Sequence, residues 1–88
     1  MKRSDVLYTA DSLINGDRQN DYGEAHESFE AIASAWSSYL KADVAPHDVA
    51  MMMVMLKAIR FSNSPDNPDH AVDICGYAAL ASEIASDS

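Results

Sequence analysis

The stretch MMMVMLKAIRF, residues 51–61, decides the fold. It opens with six apolar side chains and then sets Lys57 and Arg60 three residues apart among further apolar ones. No strand pattern competes with a helix here. In a helix, residues three apart share a face, so Lys57 and Arg60 point the same way and an anionic group is expected opposite them. Pro46 suits a first helical turn, and the helix it starts runs to about Ser62 with both faces apolar. Such a helix is either central to a bundle or shared with a second subunit.

Downstream, the loop SNSPDNPD ends this helix, and Asn67 followed by Pro68 reads as an N-cap with proline at the first helical position. The next helix, DHAVDICGYAALASEIA, is apolar almost all round, interrupted by Asp73, Gly76 and Tyr77. Glycine inside a helix costs about 1 kcal/mol relative to alanine, so Gly76 marks a close approach of another helix. Upstream, GEAHESFEAIASAWSSYLK carries Ala25, Phe29, Ile32, Ala33, Trp36 and Leu40 as one stripe at helical period, with Ser37 off the stripe. In SDVLYTADSLINGD, Val6, Leu7, Ala10, Leu13 and Ile14 recur in the same way, with Ser4 or Asp5 as N-cap and Gly16 suited to the C-terminal left-handed position. The expected architecture is all-α, one domain over residues 1–88 with helices at about 5–15, 24–41, 46–62 and 68–86.

Two helices apolar almost all round exceed what one small bundle hides, since a chain of 88 residues buries only roughly 60% of its unfolded surface. A homo-oligomer, a dimer or larger, is therefore expected to complete the bundle, with the methionine run at its interface. The apolar fraction of 48% argues against disorder. A formal charge of −8, from fourteen acidic and six basic residues, excludes non-specific binding to a nucleic-acid backbone and suits a basic protein partner. Cys75 is the single cysteine and cannot form an intrachain disulfide. Without a signal core or a spanning run, the chain reads as soluble, cytoplasmic and free of the membrane.

Asp73 sits between Val72 and Ile74 on a buried-looking helix, where an unpaired carboxylate is costly, and Lys57 and Arg60 are its obvious partners. One reading is a purely structural ionic network between the third and fourth helices. The other is an anion or metal–phosphate site. Asp69 and Asp73 lie one turn apart, as a pair holding Mg²⁺ would, and the two cations would then meet phosphate charge. Asp69 in a first turn is also explained by the helix macrodipole. His70 reads as a surface histidine, and Cys75 as a small buried hydrophobe. In EAHESFE, Glu24 with Glu27 and Glu27 with Glu30 form E-x-x-E pairs, the pattern of a metal site or of a solvated acidic face. In the loop NGDRQNDYGEA, Arg18 and Tyr22 either reach a ligand or serve locally, Arg18 pairing with Asp17 or Asp21 and Tyr22 packing on the next helix.

The segments GDRQNDYG, LKAIR and DHAVDICGYAAL together resemble a family of short phage and prophage proteins of uncharacterised function. That family reads approximately G-D-R-x-x-D-Y-G, then K-x-x-R, then D-x-x-x-D-x-x-G-Y. These motifs fall here on Gly16, Asp17, Arg18, Asp21, Tyr22 and Gly23, on Lys57 and Arg60, and on Asp69, Asp73, Gly76 and Tyr77. Ser28 stands where the family often carries asparagine. More distantly the chain resembles the all-α nucleoside triphosphate pyrophosphohydrolases of the MazG type. That resemblance implies a MazG-like bundle acting as a dimer or tetramer, Mg²⁺ held by an E-x-x-E and an E-x-x-D helix, and cleavage between the α and β phosphates. His70 takes the place of the glutamate in E-x-x-D, and a histidine does not replace a carboxylate on Mg²⁺. The resemblance thus supports a nucleotide site better than turnover.

The expected function is binding of a nucleotide or related phosphorylated small molecule, with Mg-dependent pyrophosphohydrolysis as its active form. Arg18, Lys57 and Arg60 would bind phosphate, Tyr22 or Tyr77 the base, and Asp73 and Asp69 with Glu27 or Glu30 the Mg²⁺. No catalytic residue is assigned. The alternative, from another class, is an acidic phage inhibitor that binds a basic host protein in the host cytoplasm and has no small-molecule site.

Overall fold

The structure, a computed structural model, describes residues 1–15 and 21–87, the side chains of 21–25 and 87 excepted. Four helices and no strand appear among the described residues: α1 (Arg3–Asn15), α2 (Asp21–Leu40), α3 (Pro46–Asn63) and α4 (Pro68–Asp87). The fold is all-α, and α4 packs most extensively on α3 and next on α1, while α2 lies chiefly against α3.

Each helix end has a local cause. Asn67 caps α4, its Oδ1 accepting from Asp69 N at 3.0 Å, while Pro68 takes the first position, where its missing N–H is no loss. Ala45 before α3 has no acceptor side chain, so only the returning half of a capping box forms, with Ala45 N donating to Asp48 Oδ2 at 2.9 Å. At α1 neither Ser4 nor Asp5 is the cap. The helix starts at Arg3, and Asp5 lies in its first turn and reaches back to accept from Lys2 N at 3.1 Å. Lys41 closes α2 with φ 55°, a left-handed conformation usually left to glycine.

Ser37, off the apolar stripe of α2, turns out to fasten the α2–α3 connection. Its Oγ donates to Val44 O at 3.2 Å and accepts from Val44 N at 2.8 Å. Ser37→Ala should therefore cost about 1–2 kcal/mol, the net worth of two partly buried hydrogen bonds. For a domain of this size that lowers the melting temperature by roughly 4–8 °C per kcal/mol, read in a thermal melt against wild type.

The core is thin. Its buried apolar side chains are Ala10, Ala33, Val49, Ala50, Val72, Ala81 and Ile84, mostly alanine, so the helices approach closely but bury little volume. Phe29, Ile32 and Trp36 on the α2 stripe are half-buried, and Leu40 at its end is exposed. The molecule is flattened to 41 × 30 × 17 Å, with a Cα radius of gyration of 13.7 Å. A close-packed globule of this length would have a radius of roughly 12 Å. Met51, Met52, Met55, Leu56, Ile59 and Phe61 on α3 remain exposed. Among the described residues no helix is long and apolar enough to cross a membrane.

Candidate functional site

Lys57 sits mid-helix on α3 and Asp73 in the second turn of α4, and the close packing of these two helices brings them together. Lys57 Nζ lies 3.0 Å from Asp73 Oδ2, with the lysine side chain 20% and the aspartate 35% exposed. The pair is neither fully solvated nor fully buried. Its geometry gives a charge-assisted contact whose aspartate keeps a partly open face.

That open face borders a groove of about 180 Å³ between α1 and α4. Ala10, Leu13 and Ile14 form one wall; Val72, Asp73, Gly76, Tyr77 and Leu80 form the other. Among the described residues Asp73 is the single charged group in this apolar lining. Tyr77 is held from behind by Phe29 of α2, with ring centroids 6.4 Å apart and planes tilted by 39°, an arrangement that favours aromatic contact.

Gly76 lies at the floor of the groove, where Ile14 of α1 comes near. A Cβ placed on Gly76 would stand 3.6 Å from Ile14 Cγ2, an ordinary van der Waals contact. The close approach therefore leaves room for alanine, and helix packing alone does not require glycine here.

The other expected site residues are placed differently. Arg60 is exposed and makes no ion pair among the described residues. Three residues advance a helix by about 300°, which turns Arg60 about 60° away from Lys57. Asp69 is exposed in the first turn of α4. Glu27 and Glu30 are exposed on α2, with Glu30 Oε1 3.3 Å from His26 Nε2. Among the described residues no three His, Cys, Asp or Glu side chains gather as a metal site. Arg18 lies outside the described residues, as does the side chain of Tyr22. The backbone at Asp21, Tyr22 and Gly23 belongs to the first turn of α2 and not to the preceding loop.

His70 departs from its reading as a surface residue. It is half-buried, and its Nδ1 is buried without a hydrogen-bond partner among the described residues. Its place close before Asp73 carried only a weak signal. Ile14 and Leu13 were legible as apolar helix positions, but nothing in their spacing marked them as the wall of a groove.

Residues 5–85 match a family described as Domain of unknown function (DUF6378). Over 80 residues the chain is 42% identical to the Gene 55 protein of Mycobacterium phage L5, and over 79 residues 34% identical to the Gene 55 protein of Mycobacterium phage D29. Both matches take in 90% of this chain but only 51% and 52% of the relatives, so the chain spans about half the length of the curated relatives it matches. No solved structure matches it.

Proposed function

We propose, from the premise that this chain belongs to the DUF6378 family, which has phage-encoded relatives, that it binds a nucleotide or related phosphorylated small molecule at the α1–α4 groove. The observation that carries this reading is Asp73, paired with Lys57, in the wall of a groove whose remaining lining is apolar or aromatic.

Ligand pockets run to about 300–1,000 Å³, so a groove of about 180 Å³ takes one ring and leaves the phosphate end outside. The ring lies against Tyr77, Ile14 and Gly76, and Asp73 accepts from its polar edge. The phosphate meets Lys57, the partner of Asp73. No acidic residue occurs between Val49 and Pro65, so on a chain of −8 this is the segment that least repels an anion. A MazG-type reading would add a metal ion and hydrolysis; the binding reading rests on neither.

Gly76→Ala tests the site directly. Alanine fits beside Ile14 and is the better helix former, so the variant should gain up to about 1 kcal/mol of stability while filling part of the groove. Wild type and variant are incubated with a mixed nucleotide pool and Mg²⁺ or Mn²⁺, and chromatography quantifies what is retained and what is consumed. Retention by wild type and its loss in a variant that melts higher supports the site. A folded wild type that retains and consumes nothing overturns it, and turns attention to a basic protein partner for the acidic surface of α2 and α4. Release of pyrophosphate would extend the proposal to hydrolysis.

A further inference from the structure

We propose that the outward face of α3 is a homodimer interface, across which two copies pack their α3 helices antiparallel through Met51, Met52, Met55, Leu56 and Ile59. These side chains recur three and four residues apart on one stripe. All are substantially exposed, Met55 at 59% and Ile59 at 66%. A stripe of this size reaches the few hundred Å² at which exposed apolar surface marks an interaction site. It supplies the apolar centre that a standard interface of about 800 Å² per partner needs, with Asp48, Arg60 and Asn63 as its polar rim.

Three observations select a second copy as the occupant. Lys57 is turned inward to Asp73, so the outward face between Asp48 and Arg60 carries no charge, and a strongly charged partner has nothing to grip there. On a chain of −8 it is also the face on which two like copies repel each other least. Finally, α3 has an acid, Asp48, in its first turn and a base, Arg60, in its last. Antiparallel pairing sets each beside the opposite charge of the other copy and opposes the helix dipoles, whereas parallel pairing sets like against like. A two-fold axis near Met55 makes the patch self-complementary, and methionine adapts readily to such a contact.

The test is sedimentation velocity of the whole chain from low to high micromolar concentration. Wild type should sediment at twice the 9.6 kDa chain mass. The double variant Met55→Glu with Ile59→Glu should weaken the dimer by roughly 100-fold or more, because it places carboxylates in a hot-spot centre, with helical circular dichroism unchanged. If that variant fails to fold, Met55→Cys in a Cys75→Ala background serves instead, and oxidation should give an SDS-stable dimer. A wild type that stays monomeric overturns the proposal and leaves the face to a different protein. A dimer that persists in the folded double variant, or a dimeric Met55→Cys chain that does not cross-link, overturns it equally.

Discussion

Ile84→Ala should cost about 2–5 kcal/mol, the usual range for truncating a fully enclosed isoleucine. Ile84 is 1% exposed and, with Val49, is one of the two largest side chains wholly enclosed in the fold. Proteins hold only about 0.05–0.15 kcal/mol of stability per residue, so a chain of 88 residues has little to spare. Most other core positions are alanine and cannot reach into the void. Urea unfolding followed by circular dichroism should show the midpoint falling sharply with an unchanged slope, the sign of lost stability without a changed unfolded state. Glu83→Ala, one residue away and exposed, is the control and should move the midpoint little. A small shift for Ile84→Ala would mean that the site collapses around the void.

Lys57→Ala should lower nucleotide retention at least roughly tenfold, a loss of about 1.4 kcal/mol or more in binding. It should also cost about 1–2 kcal/mol of stability, between two limits. Exposed pairs are worth about 0–1 kcal/mol, and removing one partner of a buried pair costs about 3–5 kcal/mol. The Lys57–Asp73 pair, 20% and 35% exposed, belongs to neither class. The double variant Lys57→Ala with Asp73→Ala separates the two roles. If the pair serves only the fold, the double variant regains much of the stability and every ligand interaction persists. If the two residues also meet the ligand, stability recovers but retention does not. A stable Lys57→Ala chain that retains nucleotides as wild type does would sink the binding proposal.

Much of the helical framework was readable because its signals are local. The methionine run could only be a helix apolar on both faces, Asn67 before Pro68 could only start one, and Asp73 among apolar neighbours called for a cation. Lys57 answered it. Arg60 did not, because a difference of roughly 60° around a helix is enough to separate a residue touching the next helix from one facing water. Ser37 gives no signal in the sequence for a similar reason: its partner, the backbone of Val44, lies beyond the end of its own helix, where periodicity says nothing.

The sequence by itself determined the helices, the starts of α3 and α4 and the pairing demand of Asp73, since capping, periodicity and the cost of an isolated charge act within a few residues or on one side chain. Only the tertiary structure decided that Asp73 and Tyr77 share a groove with Ile14, that Gly76 has room for a methyl group, and that α3 turns its methionines outward. Those outcomes depend on which helix faces meet. That is set by how side chains far apart in the sequence fill one thin core, and no single helix carries this information.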